Sequence, residues 1–221
     1  MRSSVLAVAI AAAVLATGAA AATYNPATDF SASSNPSGVY TYGYENTLGG
    51  TLTAFTTEST GPYGAQWNTP AVDSSLGVYD GAPKGLFLHP GPAGQYSVIR
   101  LSLPSSGQLT ISGAFGSAGV GGAGTTDVHI LINNVDVFHG EVTGTTVPFS
   151  YSGAFAPGST VDFAVGDGSD GNYLSDSTTL SASIVTGAGG VPEPASWALM
   201  AIGFGLLGSV ARRRQSQTEA A

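Results

Sequence analysis

Cysteine is absent from all 221 residues, which removes any disulfide framework, thiolate nucleophile or thiolate metal site. Charge is scarce as well: Asp, Glu, Lys and Arg together make up 9% of the chain, against about 25% in an average globular protein. The scarcity is one-sided. Between residues 23 and 190 only Lys84 and Arg100 are basic, against twelve of the fourteen acids, so this stretch has a formal charge of −10. Such a surface repels polyanions and excludes nucleic acid as a partner, because phosphate neutralisation dominates that kind of binding. No segment before Ala195 carries the apolar stripe of an amphipathic helix. No GxSxG turn occurs, and no Ser, His and Asp grouping can be assembled from spacing alone.

The ends are apolar. Met1-Arg2-Ser3-Ser4 is a short basic start, Val5 to Ala16 is an apolar core, and Ala20-Ala21-Ala22 supplies the small residues that a signal peptidase reads. We therefore assign residues 1–22 to a secretory signal peptide, cleaved after Ala22. At the other end, Ala195 to Ala211 is an uncharged run of 17 residues. As a helix it would extend roughly 25 Å, the short limit for a transmembrane helix. Gly203, Gly205 and Gly208 are tolerated in lipid because a helix satisfies its own backbone. Trp197 falls at the entering interface, and Arg212, Arg213 and Arg214 begin a basic tail, 212–221, that stays cytoplasmic. Pro192 and Pro194 keep the preceding residues out of a helix, leaving an extended, accessible peptide within the linker 187–194.

Pro192-Glu193-Pro194, Trp197-Ala198, Gly203-Phe204-Gly205, Gly208 and the arginine cluster, in that order, resemble the PEP-CTERM sorting signal of Gram-negative bacteria in its PEPxxWA variant. That resemblance implies recognition by an exosortase, a membrane-embedded cysteine peptidase, near Pro192-Glu193-Pro194. It implies a transient membrane anchor and delivery to the cell envelope, the cell surface or the extracellular space.

The middle, residues 23–186, has the size of one domain, with a core that needs no disulfide. Short alternating segments between turn residues read as strands: 39–44, 52–57, 85–88, 96–103, 109–115, 147–155, 160–165 and 179–185. Asp127 to Ile132 and Val135 to His139 are joined by Asn133-Asn134, and paired asparagines accept the positive φ of a two-residue hairpin turn. About nine or ten strands without a βαβ rhythm predict an all-β fold, an antiparallel sandwich of jelly-roll type. The strand order and turns such as Leu88-His89-Pro90-Gly91 and Gly166-Asp167-Gly168 also loosely resemble the jelly-roll carbohydrate-binding-module-like domains of bacterial surface proteins.

Four features bear on chemistry. Gly119 to Gly124 spells GxGxxG, but a strand and not a helix follows it, so it reads as a loop. His89, His129 and His139 have no metal-ligand spacing, and His129 faces away from Val128, Ile130 and Ile132 on its strand. Gly166 to Asp176 is an oxygen-rich turn in which Asp167, Asp170, Asn172 and Asp176 could hold Ca2+, although Asp-Gly pairs also simply make good turns. Tyr40, Tyr42 and Tyr44 share one strand face and could stack on sugar rings or fill the core.

The expected function is that of a non-catalytic surface or matrix protein, structural or binding extracellular polysaccharide. The alternative is an extracellular polysaccharide hydrolase or lyase using acids such as Asp127, Asp136 and Glu141. The sorting reading has a direct test. The intact mass of the mature secreted protein should end at or before Pro194, and replacing Pro192-Glu193-Pro194 with alanines should leave the protein in the inner membrane. Unchanged release of that variant, or a mass retaining residues beyond Pro194, would overturn it.

Overall fold

A computed structural model of the chain describes residues 21–61, 64–79, 85–118, 124–187 and 202–205. The signal segment 1–20 lies outside them, as do the sorting tripeptide, Trp197, Gly208 and Arg212 to Arg214; of the span 195–211, residues 202–205 are described and are helical. Among the described residues no helix is long and apolar enough to cross a membrane.

Residues 21–187 fall in one compact unit made of strands. They are β1 (Ala22–Tyr24), β2 (Tyr40–Glu45), β3 (Thr53–Ala54), β4 (Thr57–Gly61), β5 (Gly64–Thr69), β6 (Ser74–Tyr79), β7 (Gly85–His89), β8 (Tyr96–Ser102), β9 (Gly107–Ser117), β10 (Thr126–Ile132), β11 (Val135–Val142), β12 (Val147–Phe155), β13 (Thr160–Val165) and β14 (Thr178–Thr186). One sheet runs β12-β9-β14-β7-β6-β5-β4 with β1 beside β14, and the other runs β11-β10-β13-β8-β2-β3. Every pairing is antiparallel. The expected sandwich is the observed one.

Alternation decides which residues enter the core, because successive strand side chains point to opposite faces. Ile99, Leu101, Val128, Ile130, Val161, Phe163 and Val165 from the smaller sheet meet Leu86, Leu88, Leu109, Ile111, Phe115, Leu180 and Ile184 from the larger one. Phe115, Phe149 and Phe163 form an aromatic knot between the sheets, with centroids 5.2, 5.9 and 6.4 Å apart. Tyr40 and Tyr42 are buried in the same cluster, so the tyrosine row of β2 is core and not an open platform. Trp67 is buried too, its indole N–H donating to the Ser31 carbonyl at 2.7 Å. Asn133 and Asn134 have φ of 52° and 64°, as the tight turn between β10 and β11 requires.

The expected strand 52–57 is broken into β3 and the start of β4, and β1, β5 and β6 were not marked by alternation. β4 and β5 pair through their backbones, with side-chain bonds such as Asn68 Nδ2 to Ser59 Oγ at 2.6 Å added across the pair. Their Gly, Ser, Thr and Gln content gives no periodic apolar signal.

The outer face of the smaller sheet carries two further structures. Leu48 and Leu52 lie on a minor apolar cluster of Val98, Leu131 and Ala164. Beside it, Arg100 grips Asp162 with two bonds of 2.7 Å and reaches Glu45 at 3.1 Å and Asn134 at 3.0 Å. Both acids are about 1% exposed. Asp162 bonding, with both neighbouring charges, raises the Arg100 pKa against the opposing pull of burial. Because a buried ion left without its partner is costly, Arg100→Leu should destabilise the sandwich by about 3–5 kcal/mol at neutral pH. Urea unfolding of Arg100→Leu against the double variant Arg100→Leu/Asp162→Leu checks this; the double variant should recover part of the loss, since Glu45 still lacks its cation.

Candidate functional site

Six of the domain's acids, Asp127, Asp136, Glu141, Asp167, Asp170 and Asp176, belong to one pole of the sandwich, built from the β10–β11 hairpin and the segment 166–176. Side chains of the hairpin hold that segment by its backbone. Asp127 Oδ1 accepts the Gly168 N–H at 3.1 Å, Glu141 Oε1 accepts the Ser169 N–H at 3.0 Å, and Thr125 Oγ1 accepts the Asp170 N–H at 3.2 Å. Gly168 is obligatory here: its φ is +66°, and a Cβ would collide with the Thr125 carbonyl.

Asp127 and His129 project together from β10, two residues apart and on one face. His129 Nε2 lies 3.1 Å from Asp127 Oδ2, and its Nδ1 lies 2.9 Å from Asp136 Oδ2 on β11. Tyr96 from β8 donates its hydroxyl to Asp127 Oδ2 at 3.0 Å and sets its ring edge-on to His129 at 5.8 Å. Burial works to raise the Asp127 pKa, but the bonds from His129, the Gly168 N–H and Tyr96 overcome it and hold the carboxyl below its ordinary value. Burial likewise works to lower the His129 pKa, and the two aspartates reverse that to a net rise.

The acids considered for hydrolysis are thus engaged: Asp127 and Asp136 with the same imidazole, and Glu141 with the Ser169 amide. Of the three histidines, His129 and His139 are cross-strand neighbours with rings 6.4 Å apart, and His139 is exposed. His89 is engaged elsewhere, with Nδ1 3.2 Å from Ser177 Oγ and its ring against Tyr173. Burial lowers its pKa.

The four residues of the oxygen-rich turn take different roles. Asp170 Oδ1 accepts the Asn172 N–H at 3.0 Å and Asn172 Oδ1 accepts the Leu174 N–H at 3.1 Å, two local turns of the Asx kind. Asp167 is half-buried. Asp176 is 1% exposed, and neither carboxylate oxygen has a hydrogen-bond partner among the described residues. Its Oδ1 lies so close over Gly124 that any side chain there would strike it. Burial first, then the charges of Asp170, Asp167 and Asp127, push its pKa up to about 7. A buried polar group without a partner costs free energy, and Asp176 is the place at this pole where that cost is concentrated. Among the described residues no three His, Asp or Glu side chains converge tightly enough to hold a metal ion by themselves.

Sequence reading marked Asp127 and Asp136 as acids and His129 as outward-facing, without bringing them together. The signal was present in Asp127-Val128-His129, two polar residues on one strand face, and in the asparagine turn that folds Asp136 back beside them. Nothing local pointed to Tyr96, which arrives from a strand thirty residues earlier.

In solved structures the fold has partial likenesses. CBM51 from Clostridium perfringens GH95, in complex with methyl-galactose, is 18% identical, with 61% of this chain and 95% of that one covered at a TM-score of 0.37. The carbohydrate-binding module CBM36 in complex with calcium and xylotriose is 19% identical, covering 58% and 98% at a TM-score of 0.32. Pika GITRL is 14% identical, covering 53% and 98%, also at 0.32. No curated protein matches the chain by sequence. Residues 190–215 match the PEP-CTERM protein-sorting motif, and the chain is a motif-bearing β-sandwich protein exported across the membrane and sorted to the cell surface or extracellular space.

Proposed function

We propose that the sandwich is a non-catalytic polysaccharide-binding domain of the cell surface or extracellular matrix, and that its acidic pole binds through a hard divalent cation such as Ca2+. The observation that carries the reading is Asp176, a buried carboxylate whose two oxygens have no hydrogen-bond partner among the described residues, beside a segment rich in other oxygens. A hard cation takes six to eight oxygen ligands. Asp176, with Asp167 and backbone carbonyls of the same segment, would supply part of that shell. The vicinal hydroxyls of a sugar ring supply the rest, which joins ion binding to glycan binding. The other acids nearby support binding over catalysis, since Asp127, Asp136 and Glu141 are each held by a protein donor. Signal peptidase releases the amino end in this scheme, exosortase acts at Pro192-Glu193-Pro194, and the span 195–211 anchors the chain in the membrane only until then.

Calcium alone should raise the melting temperature of the exported protein by roughly 5 °C through preferential binding to the folded state. Asp176→Asn should abolish that rise. Asp176 has a folded pKa raised above the ordinary 3.8, to about 7, so the cation-free fold is penalised as pH rises from the lower value through the higher. Removing the carboxyl should therefore stabilise the cation-free protein at pH 8, by on the order of 2 kcal/mol. A variant that keeps the calcium response, or loses stability at pH 8 without calcium, defeats this assignment.

Pull-down with the producing organism's exopolysaccharide, with and without chelator, tests the binding reading. Retention that chelator abolishes, with no shortening of the polymer, is the expected result. Release of shortened product would favour a hydrolase or lyase, and self-association without retention would favour a purely structural subunit.

A further inference from the structure

Asp127 is the joint between the hairpin and the acidic segment. One of its oxygens accepts the Gly168 N–H, while the other faces His129 Nε2 and accepts the Tyr96 hydroxyl. On the far side of the imidazole, Asp136 Oδ2 faces Nδ1 and Asp136 Oδ1 accepts the Phe138 N–H at 3.2 Å. A neutral imidazole donates from one nitrogen and presents a lone pair at the other. With a carboxylate at each nitrogen, only the doubly protonated ring satisfies both. We propose that His129 is a positioning residue: its imidazolium bridges Asp127 and Asp136 and so latches the segment 166–171 onto the β10–β11 hairpin.

Burial of the ring opposes this state, and the acids around it outweigh that. β8 presents Tyr96, β10 itself Asp127, and β11 presents Asp136, His139 and, opposite Asp127, Glu141. β13 places Ala164 across from His129, with nothing to titrate, and its Asp162 is held by Arg100. The charge of Asp167 reaches the same cluster through Tyr96. Among the described residues Arg100 is the single Lys or Arg, and it is committed to Glu45 and Asp162. Among the described residues, His129 is the side chain that can present a proton to both Asp127 and Asp136.

A folded imidazole pKa above the unfolded one gives a latch that is complete below the ordinary 6.5 and lost as pH rises through the folded value. Loss of the proton turns one nitrogen into an acceptor facing a carboxylate, and that side of the bridge opens. The effect on ligand binding rests on the proposed function; the latch itself does not.

The test uses the isotopically labelled exported protein without added ligand. NMR should show both ring nitrogens of His129 protonated in mildly acidic solution, with a midpoint above the ordinary 6.5. Protection of the Gly168 amide, corrected for intrinsic exchange, should fall about tenfold as pH rises through that midpoint, the scale of losing one charge-assisted bond. His129→Gln should show low protection at every pH and no step, whereas His129→Arg, a permanent cation with donors on both sides, should restore protection without the step. Asp136→Asn, which leaves the core untouched, should lower the His129 midpoint. A His129 midpoint at or below 6.5, or Gly168 protection indifferent to both pH and His129→Gln, overturns the latch. Failure to bind calcium or polysaccharide would overturn the proposed function alone, since none of these readouts involves a ligand.

Discussion

The sandwich depends on the closure of two sheets over a continuous apolar interior, and the aromatic contact of Phe115 and Phe149 with Phe163 is where that closure is most concentrated. With no cysteine to staple the chain and few charges to bridge the sheets, burial of these side chains has to offset the conformational entropy of well over a hundred ordered residues. Two-residue periodicity meets that demand on the inner faces and releases the alternate positions for other uses. Those alternate positions carry nearly everything specific about the molecule.

On the outer face of the smaller sheet, polar chemistry is arranged in two sets with opposite characters. Around Arg100, a permanent cation is closed in by two buried acids and an asparagine, and burial raises the pKa of both acids despite the guanidinium beside them. Around His129, a titratable ring performs the bridging, and its partners stay partly open to solvent. The first set clamps β8 to β13 and β2. The second joins a hairpin to the segment that precedes β14, at the pole where the Asp176 carboxylate lies buried without a partner among the described residues.

The sandwich class and most of its longer strands were legible in the sequence because alternation reports directly on a two-faced sheet, and Asn133-Asn134 marked its hairpin through backbone geometry. Of the strands that escaped, β1 has three residues, and β5 and β6 mix small and polar residues with single apolar ones, too few to write an apolar pattern. The tyrosines of β2 were legible as sharing a face, but a single strand does not say which of its faces is inner. The candidate site was legible in composition and not in connectivity. Asp170 and Asn172 read as ligand types yet spend their oxygens on the local chain, while the distinguishing trait of Asp176, burial without a donor, exists only after strands distant in sequence have closed around it.

β14 is an interior strand of the larger sheet, paired with β9 along its whole length and flanked on its other side by β7 and β1. The acidic segment enters it at Thr178, and the chain leaves it at Thr186 towards the sorting motif. A domain held at its acidic pole and pulled through its carboxyl end would therefore carry tension along the axis of β14. Any slip of β14 against β9 would then load nine residues of register in shear together, and not peel them apart one pair at a time.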